Sequence, residues 1–266
     1  MINSHLSRQI KQNFPHTPTN EQLFALNILA DFLLSANENS ALLLKGYAGT
    51  GKTSLVGALV KTMSGLKQKS VLLAPTGRAA KVLSSYAGQQ AFTIHKKIYR
   101  QDAFSNDLSA FHPSDNLHKD TLFIVDEASM ISNQGIDSHY FGSGRLLDDL
   151  IHYVYSGENC RLMLMGDTAQ LPPVMQVESP ALQADILKGY NLQVDEIQLT
   201  EVVRQDLNSG ILYNATLLRD SLRNNRGEIY PKLTVKGFAD IQMINGSELI
   251  EAISNAYSKD GLDDTI

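Results

Sequence analysis

The chain has 266 residues, 43% hydrophobic and 19% charged, with a net charge of −5; this composition excludes wholesale disorder and allows one large core, or one domain with part of a second. Its single thiol excludes an internal disulfide and a cysteine-based zinc site, and a place in the apolar run CRLMLM makes Cys160 a small buried hydrophobe. No stretch approaches the length of a membrane-spanning helix and MINSHLSRQIKQNF has no apolar segment of the signal-peptide kind, so the expected setting is a reducing cytoplasm without membrane attachment.

In chain order, PTNEQLFALNILADFLLSAN comes first as a helix, with Leu23, Leu26, Ile28, Leu29, Phe32 and Leu33 on one apolar face. Short apolar runs of strand length then alternate with segments of helical period. ALLLK (41–45), SVLLA (70–74), TLFIV (121–125) and CRLMLM (160–165) read as strands, and 52–64, 77–87 and 145–156 as the helices among them. That alternation predicts an α/β fold, a mostly parallel sheet with helices on both faces. Residues 101–120, QDAFSNDLSAFHPSDNLHKD, lack a clear period and read as an excursion from the sheet. LQVDEIQLT, a helical stretch over 209–224 and the tail from Gly237 complete the chain.

The net charge alone argues against a nucleic-acid binder, but its distribution does not. From Asn39 to Gln101 there is no Asp or Glu, while Lys and Arg supply ten positive charges. A polyanion can be received there while the rest of the molecule stays acidic. A run of solvated lysines is the other reading of the same stretch.

The first strand runs into Gly46-Tyr47-Ala48-Gly49-Thr50-Gly51-Lys52-Thr53, followed by Ser54, which fits G-x-x-x-x-G-K-[ST] between a strand and a helix. Such a loop wraps the β-phosphate of ATP with backbone N–H groups, Lys52 places a charge between the β- and γ-phosphates, and Thr53 offers a hydroxyl to Mg²⁺. TLFIVDEAS supplies the rest of an ATPase: Asp126 to hold Mg²⁺ through a water, and Glu127 as the general base for the attacking water. Both stand at a strand's C-terminal end, the rim where open α/β sheets bind ligands.

GDTAQLPPV (166–174) reads in isolation as a polar exit turn stopped by two prolines. DEAS, GDTAQLPPV and VVRQ on one chain, in that order, resemble the superfamily 1 DNA helicases, specifically the RecD/Dda-like branch that moves 5′ to 3′. The resemblance runs from about Thr17 to the C-terminus, and GDTAQLPPV is its most specific piece. It implies a RecA-like P-loop NTPase domain that hydrolyses ATP with Mg²⁺ while moving on single-stranded DNA. The matches are TPTNEQ (17–22) for the glutamine motif, GYAGTGKT for motif I, APTGRAAKVL (74–83) for Ia, FTIHKKIY (92–99) for Ib, DEAS for II, GDTAQLPPV for III and VVRQ (202–205) for IV.

From the resemblance, Gln170 is expected to sense the γ-phosphate and Arg204 to supply charge to it. Gln22 is expected to contact adenine; Thr19-Asn20-Glu21-Gln22 also fits a capping box, which would turn Gln22 back onto the backbone instead. Pro75, Thr76, Gly77 and Arg78 are expected to hold a DNA phosphate at a helix start, and Thr93, His95 and Lys96 to do the same further along the strand. All seven lie inside the acid-free stretch. For His95 a core or capping role is the competing reading.

Relatives carry a second RecA-like domain with motifs V and VI, which are not found here. The expected organisation is a helical segment with the glutamine motif over 1–38, a RecA-like ATP-binding domain over 39–258 and the start of a truncated second RecA-like domain over 259–266. Residues 101–120 stand where relatives insert a strand-splitting pin. On this reading the isolated chain has low activity, because ATP sits between two such domains. The alternatives are a P-loop ATPase or kinase acting without nucleic acid, and a nucleotide-binding module without turnover.

Overall fold

The computed structural model describes residues 2–101, 111–135, 142–203, 209–223 and 232–260. The chain divides into two compact units, Met1–Val203 and Arg204–Ile266. In the first, helices α1 (Ile2–Gln12) and α2 (Asn20–Leu34) precede β1 (Ser40–Gly46), α3 (Lys52–Gly65), β2 (Lys69–Ala74), α4 (Gly77–Ala87), β3 (Ala91–Thr93) and α5 (Ile94–Ile98). A hairpin of β4 (Tyr99–Gln101) and β5 (Phe111–Pro113) leads to β6 (Thr121–Val125), α6 (Leu146–Tyr155), β7 (Arg161–Gly166), α7 (Ala184–Lys188) and β8 (Gln193–Leu199). The second unit holds α8 (Gly210–Arg223) and α9 (Leu249–Asp260).

Six strands form one sheet in the order β3-β2-β6-β7-β1-β8, and every neighbouring pair runs parallel. A strand covered on both faces needs apolar side chains at successive positions, which is why the central strands read as unbroken runs. Leu42 and Leu44 face one core with Leu26, Leu29, Leu55 and Leu59 of α2 and α3; Ala41 and Leu43 face the other with Leu147 and Leu150 of α6. Each fully buried leucine removes enough apolar surface from water to contribute about 1.5–3 kcal/mol.

The N-terminal helices belong to the first core: α1 inserts Leu6 and Ile10 into the cluster that α2 helps to build. Both therefore sit in the compact unit with the sheet. Arg161, at the start of β7, donates its guanidinium N–H groups to the carbonyls of Phe32, Leu33 and Ser35. It satisfies orphan acceptors at the C-terminal end of α2, where the helix dipole also favours a cation. In the second unit, the Asp240 carboxylate accepts from the Gly210 and Ile211 N–H groups and from the Ser209 hydroxyl, capping α8. The break between the units falls at 203/204, and residues 249–260, including the first two of the expected second domain, form α9. Residues 261–266 of that expectation, and 102–110 of the excursion, lie outside the described residues. Among the described residues no helix is long and apolar enough to cross a membrane.

Candidate active site

Sheet order brings three loops together. Because β7 lies between β6 and β1, the chain leaving its C-terminal end at Gly166 stands between the phosphate-loop sequence after β1 and the acidic pair after β6. The phosphate loop turns into α3 through Gly51, whose φ of +88° is left-handed. A Cβ there would also meet Gln22 Nε2 and displace that side chain, while the backbone conformation alone already favours glycine. The Lys52 ammonium donates to the carbonyls of Gly46 at 2.6 Å and Tyr47 at 3.1 Å, which holds it over the loop's mouth. Thr50 Oγ1 donates to Tyr47 O at 2.8 Å, while Thr53 and Ser54 sit partly exposed in the first turn of α3.

Both bonds of the capping box are present at α2: Gln22 N–H donates to Thr19 Oγ1, and Thr19 N–H to Gln22 Oε1. Gln22 is only 1% exposed, and its Nε2 donates to Thr50 O at 2.9 Å. The side chain is thus a brace between α2 and the phosphate loop. Its neighbour Glu21 accepts from the N–H and hydroxyl of Thr200 and from the N–H of Glu201, and Val203 N–H donates to Gly49 O at 3.0 Å. The segment leading to Arg204 is therefore fastened to α2 and to the phosphate loop; Arg204 itself lies outside the described residues.

At the end of β6, burial pushes the Asp126 carboxyl up to about 6. The Glu127 N–H bond and the Lys52 charge pull the other way, and the Glu127 carboxylate adds to the rise. Glu127 N–H donates to Asp126 Oδ1 at 2.8 Å. Glu127 occupies left-handed backbone, φ 54° and ψ 38°, a conformation that costs a non-glycine residue of order 1–3 kcal/mol and recurs at functional sites. The donor set is right for Mg²⁺, which takes oxygen ligands and keeps several waters: a threonine hydroxyl, one buried carboxylate and the phosphates of a nucleotide. Those ligands would be Thr53 and Asp126.

The β7 loop connects to both neighbours. Gly166 packs so closely on the β6 loop that a Cβ would lie 3.0 Å from Ser129 N. Asp167, 4% exposed, accepts from Ala48 N–H of the phosphate loop and from Ala169 N–H, each at 2.8 Å. On the other side the Ser129 hydroxyl donates to Gln170 Oε1 at 3.0 Å, which leaves the exposed Gln170 its amide N–H groups to donate. Asp167, Ser129 and Glu21 are site residues that sequence reasoning passed over; the visible signal was an acid or hydroxyl inside each quoted motif, with no indication of what it meets.

The residues expected on DNA occupy the same rim of the sheet, at β2 and β3. Thr76 accepts from Ala79 N–H and caps α4; Thr93 accepts from Lys96 N–H and caps the short α5. Both hydroxyls keep a proton to donate. Gly77, Arg78 and Lys96 are exposed. Pro75, Thr76 and His95 line a cavity of about 670 Å³ with Tyr99, Met130 and the Leu171–Val174 stretch. His95 is partly exposed, its ring 5.7 Å from that of Tyr99, so it stands at this cavity's wall and not in the core.

The family model described as AAA domain matches residues 30–230. The ATP-dependent RecD2 DNA helicase of Deinococcus radiodurans is 32% identical over 173 residues, 65% of this chain and 21% of that protein. The ATP-dependent DNA helicase dda of Enterobacteria phage T4 is 27% identical over 222 residues, 80% of this chain and 46% of that protein. The chain thus spans between a fifth and a half of these relatives' length. A crystal structure of Pif1 helicase from Candida albicans overlays 91% of this chain on 55% of its own, with 20% identity and a TM-score of 0.49.

Proposed function

The chain belongs to the AAA domain family, and on that premise we propose that it is the ATP-binding motor domain of a DNA helicase, which hydrolyses Mg²⁺·ATP in step with movement along single-stranded DNA. The observation that carries this reading is the meeting of three loops at one sheet rim: Lys52 after β1, Asp126 and Glu127 after β6, Gln170 after β7.

In this proposal residues 46–54, through backbone N–H groups other than that of Ala48, which Asp167 takes, and the Lys52 ammonium hold the β- and γ-phosphates, and Thr53 and Asp126 take Mg²⁺, which neutralises phosphate charge when bound. Glu127 accepts the proton of the water that attacks the γ-phosphorus, and Gln170 and Arg204 donate to the γ-phosphate oxygens. Gln22 serves nucleotide binding through the loop it braces, and reaches adenine only by turning out of the α2 cap. Pro75, Thr76, Gly77, Arg78, Thr93, His95 and Lys96 form the track for the DNA backbone, within a stretch that carries ten positive charges and no acid. We further propose that the working motor closes a second RecA-like domain over the nucleotide, in a cytoplasmic setting. The length of the helicases it resembles supports a larger machine.

ATP hydrolysis by this chain, measured with and without a single-stranded oligonucleotide, tests the reading. Stimulation by DNA is the expected result, from a low basal rate. Turnover indifferent to DNA would make the protein a P-loop ATPase of another kind, and absence of Mg²⁺·ATP binding would end the proposal.

A further inference from the structure

The loop after β7 carries one buried acid that the proposed chemistry does not use. Asp167 is 4% exposed, yet it lies at the rim of the sheet among backbone amides. Oδ2 takes the N–H of Ala48, 119 residues away in the phosphate loop, and Oδ1 takes the N–H of Ala169 in its own turn. The Gln170 N–H closes the same turn on Asp167 O at 3.3 Å. Burying a carboxylate is costly unless strong donors meet it, so this position is chosen for two acceptor oxygens on one rigid plane. An asparagine has one such oxygen, and an alanine none.

We infer that Asp167 is a positioning residue that couples the phosphate loop to the γ-phosphate sensor, and so sets the preference of this site for ATP over ADP. The inference rests on the reading of Gln170 as that sensor. Gln170 lies three residues beyond Asp167, at the end of the turn that Asp167 holds, with its amide oxygen taken by Ser129. One end of the short turn is therefore fixed to the β1 loop and the other to the β6 loop. A shift of Ala48 as the phosphate loop closes on a nucleotide pulls Asp167, and the turn carries that shift to the Gln170 side chain. Without the carboxylate both nucleotides still meet the loop's N–H groups and Lys52, but the group that reads the third phosphate is no longer held at a fixed distance from it.

The test uses the whole chain and two variants, Asp167→Ala and Asp167→Asn, with hydrogen exchange at the Ala48 amide and titration of Mg²⁺·ATP and Mg²⁺·ADP. In the nucleotide-free Asp167→Ala protein, Ala48 should exchange faster while the amides of Leu42, Leu43 and Leu44 keep their protection. Its ATP-to-ADP affinity ratio should fall about tenfold or more, the range set by losing a hydrogen bond to a charged group. Asp167→Asn, which keeps the volume and one acceptor, should fall between the two; it carries the test if the alanine variant does not fold. Unchanged Ala48 exchange, or an unchanged affinity ratio in a wild type that prefers ATP, overturns the inference alone. A wild type that binds neither nucleotide overturns the proposed function and this inference with it, and one that binds both equally overturns the role of Gln170 on which the inference depends.

Discussion

Replacing Asp126 by asparagine should make the nucleotide-free protein more stable, by an amount that depends on pH. Burial raises this carboxyl from an ordinary 3.8 to about 6, so the fold favours its neutral form. The sign follows directly: the favourable contribution of the neutral acid is complete below the unfolded value near 4 and is lost as pH rises through about 6. At pH 8 wild type bears the full cost of holding the ionised group, about two pKa units at 1.36 kcal/mol each, or roughly 3 kcal/mol. Asparagine has the same shape, still offers an oxygen to Glu127 N–H, and carries no charge to desolvate. Thermal melts with chelator should place Asp126→Asn several degrees above wild type at pH 8, since about 1 kcal/mol moves a domain of this size by roughly 2–4 °C. The gap should narrow to near zero at pH 4. Adding Mg²⁺·ATP should shrink the gap, because wild type keeps the carboxylate for the metal and so gains more binding energy than the variant. A gap equally large at pH 4 and pH 8 would mean that charge burial is not its source.

Lys52→Ala is expected to weaken Mg²⁺·ATP binding while Glu127→Gln leaves it nearly intact and removes turnover; calorimetry and a phosphate-release assay check both, and equal loss of affinity would take Glu127 out of the role of base. Arg78→Ala and Lys96→Ala should each weaken binding to single strands of any sequence and lower the salt slope by about 0.7 per lost phosphate contact. A binding isotherm insensitive to salt would refute the track. Arg161→Ala should destabilise the first unit by about 2–4 kcal/mol in denaturant melts, since it leaves three helix-end carbonyls without their charged donor; no change would show that water serves those carbonyls equally well.

The strands at 41–45, 70–74, 121–125 and 160–165 were legible because a parallel strand buried on both faces must be apolar at consecutive positions, a pattern visible in one dimension. Helix α1 was not, because it buries only Leu6 and Ile10, leaves Ile2 exposed and is polar elsewhere. The left-handed glycine at 51 and the lysine after it identify themselves by type and spacing, and the capping box at Thr19 was legible as one of two readings. Asp167 and Glu21 did not, because each acquires its role from partners 119 and 179 residues away, brought near only by the order of strands in the sheet. An acid after a strand looks the same in sequence whether it bends a turn into water or holds two amides in the dark.

The placement of β1 between β7 and β8 has a consequence for how the molecule assembles. β1 pairs with β7, Ala41 against Leu162, and with β8, Ser40 against Gln193, so both its edges are completed by segments made long after it. As the chain leaves the ribosome, ALLLK is an apolar strand with two unpaired edges until residues up to 199 have emerged, a form prone to sticking to other chains. Pairings so distant in sequence are slow to close. The phosphate loop after β1 and the acidic pair after β6 reach each other only when β7 slots between them, so nucleotide affinity should appear late and all at once in synthesis, as a sign that the central strand is home.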